Sequence, residues 1–203
     1  MNPLFPDQVY APEWADRERR NLGNCDPGLL ERCVLALTLL GHLAESGLPF
    51  LFKGGTSLLL HLPTFRRLSV DIDIVCPATD AELDGVVGAI GSRHPFLGWQ
   101  IDVRDAAEGR EPLPRRRHFK LWFASTRSGG GRSYVLLDVV QEAEWKHETV
   151  ERPISTSFLK PDREIRVRLP TVEALLGDKL TAFAPTTTGV RLRRADGSVG
   201  EVM

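Results

Sequence analysis

Apolar and polar positions along this 203-residue chain alternate with two different periods. From Leu29 onward, Leu30, Cys33, Val34, Leu37, Leu40 and Ala44 recur at helical spacing, which predicts a long helix. Asp26-Pro27 supplies its cap, with proline in the first turn, and Gly47 its stop. Pro49-Phe-Leu-Phe-Lys53 reads as a short strand that ends directly on Gly54-Gly55, and Thr56 to Leu62 as a short helix closed by Pro63. Asp71-Ile-Asp-Ile-Val-Cys76 alternates with period two and is rich in β-branched residues, which predicts a strand. Thr79 caps a helix to about Ser92, with Leu83, Val86, Val87 and Ile90 on one side. Strands are expected at Trp99–Arg104, His118–Ala124, Tyr134–Gln141 and Glu164–Leu169, with Ser128-Gly-Gly-Gly131 turning two of them into a hairpin. Pro170-Thr171 then opens a helix over Val172–Phe183, stopped by Pro185.

That order of elements predicts an α/β (α+β) fold, a mixed β-sheet flanked by helices. Residues 1–25 read as an extended, Pro- and Arg-rich arm with one short helix, and 26–185 as the main domain. Residues 186–203 read as a tail whose closing Gly-Glu-Val-Met203 resembles the opening of a helix. A helical C-terminal region is therefore expected to be missing.

Composition narrows the class. Apolar and charged fractions of 42% and 26% are those of an ordinary globular protein, and a net charge of −1 leaves nucleic-acid binding to local patches. Arginine supplies such patches at Arg17, Arg19 and Arg20, at Arg66 and Arg67, at Arg115–Arg117, and at Arg191, Arg193 and Arg194. Solvated loop charge accounts for each of them equally well. Cys25, Cys33 and Cys76 lack the spacing of a zinc site and the density of a disulfide framework, so reduced thiols are expected. No signal peptide opens the chain, and the apolar run Cys33–Ala44 is too short to span a bilayer. A cytoplasmic protein with no membrane partner is expected.

The chemistry concentrates between Lys53 and Asp73. A strand ending in Gly54-Gly55-Thr56 and turning into a helix exposes backbone N–H groups that can hold phosphate oxygens, although such a turn alone is common. Asp71 and Asp73 are two apart on a strand and so share a face, where a shared cation would relieve their repulsion. Magnesium suits that place because it shares its oxygen ligands with substrate phosphates. Salt bridges to Arg66 and Arg67 are the alternative account of the pair. A third carboxylate would complete a two-metal site. Asp138 is the candidate, a lone acid within the apolar run Tyr134–Val140; Asp102, in a more polar strand, is the runner-up.

In this order the features resemble the nucleotidyltransferase superfamily typified by DNA polymerase beta, and within it the AbiEii/AbiGii toxin family. The matching motifs are Lys53-Gly-Gly-Thr56, Arg67-Leu-Ser-Val-Asp-Ile-Asp73, Asp138 in its apolar strand, and Leu175-Leu-Gly-Asp-Lys-Leu180. The resemblance covers about Leu29 to Phe183. It implies a polymerase-beta-like fold, with Lys53, Gly54, Gly55 and Thr56 at the triphosphate and Ser69 near the nucleotide. It further implies Asp71, Asp73 and Asp138 as ligands of two magnesium ions, and Lys179 as a point charge on the phosphates. Read without the family, Lys179 is simply a lysine on a helix.

The activity implied is transfer of a nucleotide from a nucleoside triphosphate to an RNA, tRNA included, or a protein hydroxyl. The role implied is the toxin of a prokaryotic toxin–antitoxin or phage-defence pair, with a separate antitoxin as partner. Two rivals stay open: a truncated module that binds nucleotide or antitoxin without transfer, and a metal-dependent phosphodiesterase. The glycine turn speaks against the second, which needs no triphosphate cradle.

Overall fold

The computed structural model describes residues 4–64, 67–103, 115–127, 131–142, 145 and 147–181. Its centre is helix α2 (Pro27–Glu45), capped as the sequence predicts: the Asp26 carboxylate accepts from the Leu29 N–H at 2.7 Å and Pro27 occupies the first turn. The helix is apolar on nearly every side, long enough by length and composition to cross a membrane, and it is nonetheless the core of the domain. Leu30, Cys33, Leu39, Leu40 and Leu43 lose all solvent contact there. Its one buried hydroxyl, Thr38, bonds back to the Val34 carbonyl at 2.8 Å.

Against α2 lies a five-stranded mixed sheet in the order β1-β2-β5-β4-β3. The strands are β1 (Leu51–Lys53), β2 (Ile72–Val75), β3 (Phe96–Ile101), β4 (Arg115–Ala124) and β5 (Arg132–Gln141). β2 and β5 run parallel and the other pairs antiparallel. Ile72, Ile74, Phe119, Leu121, Leu137 and Val139 alternate with more exposed neighbours and form the buried face. Helix α4 (Asp80–Gly91) flanks α2, held at its start by a capping box between Thr79 and Glu82. Helix α3 (Gly54–His61) links β1 to the loop before β2. β6 (Thr149–Pro153) and β7 (Arg166–Pro170) form a two-stranded sheet beside β1, and α5 (Val172–Thr181) follows.

Several boundaries differ from the expectation. The segment expected as an extended arm with one short helix does carry that helix, α1 (Pro12–Asn21), after a 3₁₀ turn (Asp7–Tyr10), but it is not extended. It buries Leu4, Phe5, Val9, Trp14 and Ala15 in the common core. β4 begins at Arg115, because its arginines pair along β5, and β3 spans Phe96–Ile101. β6 was not expected, because Thr149-Val-Glu-Arg-Pro153 carries no apolar alternation and pairs only with β7. The turn at 128–130, Arg66 and the tail from 182 onward, with Arg191, Arg193 and Arg194, lie outside the described residues.

Candidate active site

The site begins where β1 ends. Lys53 closes the strand and Gly54 opens α3 with a φ of +78°, a left-handed conformation that favours glycine. A Cβ on Gly54 would lie 2.7 Å from Cγ of Asp73, so the carboxylate independently excludes a side chain there. The Thr56 hydroxyl is buried and donates to the Asp71 carbonyl at 2.6 Å, while the Ser57 hydroxyl donates to the Gly54 carbonyl at 2.7 Å. These bonds pin the turn to the start of β2. The Thr56 side chain is thus spent on structure, and what the turn can offer an anion is the N–H groups of the first turn of α3.

Strand register gathers the acids. Asp73 stands opposite Lys53 on β1 and opposite Asp138 on β5, and His118 on β4 stands opposite Asp138. His118 Nδ1 lies 2.6 Å from Asp138 Oδ1. Burial pushes the Asp73 carboxyl up to about 6; Asp138 and Asp71 push it the same way, against partial relief from Lys53 and Lys179. The electrostatic picture is therefore of an acid crowded by two others and approached by two lysines.

An open cleft of about 850 Å³ fronts this cluster, lined by Gly55, Arg67, Ser69, Asp71, Asp73 and Lys179 among others. Gly55 faces Ser69, whose Oγ would be 3.1 Å from a Cβ added to the glycine. Lys179 enters from α5, and its neighbour Asp178 pairs with Lys53 at 3.5 Å. Lys53 Nζ also lies 5.5 Å from the centre of the Trp145 ring. Asp102 is elsewhere engaged, accepting from Lys120 Nζ at 2.7 Å, which accounts for the runner-up acid without a role in the cleft.

The donor set fits a hard divalent cation: carboxylate oxygens, no thiol, and a central acid whose ionisation is opposed by its surroundings. Among the described residues no three His, Cys, Asp or Glu side chains close into a ready-made metal cage. Magnesium does not require one, since it takes one or two carboxylates and completes its shell with water and substrate phosphates.

Of the residues expected at the site, Gly55, Ser69, Asp71, Asp73 and Lys179 meet in the cleft. Gly54 lies against the Asp73 side chain, Asp138 and Lys53 stand opposite Asp73 on the neighbouring strands, and Lys53 is also paired with Asp178. Sequence reasoning missed His118, Asp178 and Trp145. Asp178 adjoins Lys179 in the chain, and His118 shares strand parity with exposed positions of β4, but no local pattern marks their partners.

The family model described as "Nucleotidyl transferase AbiEii toxin, Type IV TA system" matches residues 38–196, which include all of the cleft residues named above. No curated protein matches the chain. Among solved structures, a "putative nucleotidyltransferase from H. pylori" is similar at 19% identity and a TM-score of 0.49. The alignment covers 79% of this chain and 61% of that one.

Proposed function

Since the chain belongs to the nucleotidyl transferase AbiEii toxin family of type IV toxin–antitoxin systems, we propose that it transfers a nucleotide from a nucleoside triphosphate to an acceptor hydroxyl. The observation that carries this reading is the register of Asp73 against Asp138 immediately beside the Gly54–Gly55 turn. A phosphate cradle and a group of acids are there joined by the fold itself.

In this reading the first turn of α3 presents its N–H groups to the β- and γ-phosphates, and Lys179 adds a mobile positive charge. Asp71, Asp73 and Asp138 would hold magnesium, which when bound would neutralise the triphosphate and lower the pKa of an acceptor hydroxyl. Asp138, whose Oδ1 lies 2.6 Å from His118 Nδ1, would take up the acceptor's proton. The acceptor oxygen bonds to the α-phosphorus, the bond from that phosphorus to the β-phosphate bridge breaks, and pyrophosphate departs. The chain's contribution is positioning and charge neutralisation. Ser69, at the rim beside Gly55, borders the nucleotide. The acceptor is an RNA, a tRNA 3′ end among the candidates, or a protein hydroxyl. The partner is a separately encoded antitoxin, and the compartment the cytoplasm.

The test uses each α-³²P-labelled triphosphate with magnesium and total tRNA or cell protein. Label should pass to one acceptor class and vanish in Asp73→Ala and Asp138→Ala. Transfer that survives both substitutions, or that proceeds in EDTA, would overturn the reading.

A further inference from the structure

The two faces of the sheet are treated differently. α2 packs on the face carrying Ile72, Leu137 and Phe119, whereas the opposite face carries Asp73 and Asp138 and, among the described residues, has no helix across β4 and β5. Strand parity fixes what that outer face displays. Successive cross-strand pairs are Ala124 with Arg132, Trp122 with Tyr134, Lys120 with Leu136, His118 with Asp138, and Arg116 with Val140.

The order of these pairs is informative. Exposed arginines stand at both ends, Arg132 beyond the aromatic pair and Arg116 beyond the acid. The Trp122 and Tyr134 rings meet edge to face with centroids 5.2 Å apart, and Lys120 Nζ sits 5.0 Å from the Tyr134 centroid. Gln100 on β3 accepts from Trp122 Nε1 at 3.3 Å and steadies the indole. Tyr134 keeps 38% of its surface exposed. Four residues of strand separate Tyr134 from Asp138, roughly 13 Å at 3.3–3.4 Å per residue.

A cross-strand aromatic pair by itself stabilises a sheet modestly, by about 0.2–1 kcal/mol, and needs no ligand. What that account leaves unexplained is the setting. Arg115 and Arg117 are bonded to Asp80 and Asp84 on the other side, while Arg116 is turned onto this face. Exposed arginines, the exposed Tyr134 ring beside the half-buried Trp122, and a neighbouring acid in a single row suit an unpaired strand, whose bases stack on aromatics and whose phosphates seek arginine.

We propose that the outer face of β4 and β5 is the acceptor platform and that it holds a single-stranded RNA 3′ end. Bases rest on Trp122 and Tyr134, a phosphate is met by Arg132, and the terminal hydroxyl is delivered to Asp138. This rests on the transferase reading for the role of Asp138, but the platform is tested by binding alone.

The experiment measures anisotropy of a labelled single-stranded RNA oligonucleotide, with a blunt RNA duplex as control. Trp122→Ala and Tyr134→Ser should each weaken single-strand binding about tenfold. Arg132→Glu, on an exposed side chain that does not threaten folding, should weaken binding and reduce its salt dependence. The thermal shift produced by magnesium and triphosphate should be unchanged in all three. The proposal falls if wild-type protein does not bind the single strand, if the blunt duplex binds as well, or if Arg132→Glu and Tyr134→Ser bind like wild type. It also falls if a protein acceptor is labelled while RNA is not. RNA bound on this face with no label transferred to any acceptor, RNA or protein, would leave the platform standing and remove the transferase reading. Undiminished transfer to RNA in the variants would do the reverse.

Discussion

Gly54 and Asp73 are pressed together so closely that a Cβ on the glycine would sit 2.7 Å from the carboxyl carbon and 3.0 Å from Cβ of the aspartate. The turn and the acid therefore specify each other. Gly54→Ala should cost about 1–2 kcal/mol for the left-handed backbone alone, and more because Asp73 must move. Thermal unfolding should show that loss, and the stabilisation by magnesium and triphosphate should disappear with it. Gly55→Ala is the control: its Cβ would meet the Ser69 side chain, the rotatable hydroxyl at 3.1 Å and Cβ at an ordinary 3.7 Å, so the fold should survive.

The raised pKa of Asp73 makes a prediction about pH in metal-free protein. Its carboxyl is pushed up to about 6 by burial and by Asp138 and Asp71. The protonated form is the one the fold favours, so this group's stabilising share is complete below the ordinary carboxylate pKa and is lost as pH rises through about 6. Asp73→Asn should accordingly raise metal-free stability above pH 7, by up to roughly 3 kcal/mol, and change little near pH 4. Urea titrations in EDTA at the two pH values check this. The same variant should be inactive in transfer. A variant whose stability falls between pH 4 and pH 7 as steeply as that of wild type would show that the crowding at Asp73 is not what the fold feels.

The site was legible in the sequence to the extent that it is local. Lys53-Gly-Gly-Thr56 and Asp71-x-Asp73 each lie within one strand or turn, where period two and glycine chemistry announce them. Asp138 stood out because an acid in an apolar strand is costly. His118 and Asp178 did not, because their partners lie 20 and 125 residues away in the chain, 138 − 118 and 178 − 53, and only the sheet order and the return of α5 bring them near. The sheet order itself was not readable, since β5 inserts between β2 and β4. The N-terminal segment misled through its prolines and arginines, which hid the apolar spacing of Phe5, Val9 and Trp14.

That N-terminal packing is itself testable. Phe5 is fully buried, the Leu4 carbonyl accepts from the Asp162 N–H at 3.1 Å, and Arg127 joins Asp16 at 3.0 Å and the Pro12 carbonyl at 2.6 Å. Phe5→Ala should cost about 3–5 kcal/mol, the usual range for a buried phenylalanine. A freely extended arm would show no change on chemical denaturation.

The last prediction concerns how Lys179 is aimed. Helix α5 leaves Val172, Leu176 and Leu180 exposed and, among its described residues, buries only Leu175, so apolar packing holds it weakly. Two polar ties compensate: His61 Nε2 lies 3.0 Å from the Pro170 carbonyl just before the helix, and Lys53 Nζ lies 3.5 Å from Asp178. The ion pair is partly exposed, so its loss should cost less than about 1 kcal/mol of stability. Its consequence for catalysis should be larger, because the adjoining Lys179 faces the cleft and an ångström of misplacement weighs heavily on a phosphate contact. Asp178→Asn should therefore lower kcat about tenfold or more with little change in Tm. The charge swap Lys53→Asp with Asp178→Lys should recover part of that loss if the pair acts by orienting α5. If instead Lys53 contacts the triphosphate directly, the swap will be worse than Asp178→Asn alone. Single-turnover transfer measured across these variants, with Lys179→Ala as the lower limit, separates the two roles of Lys53.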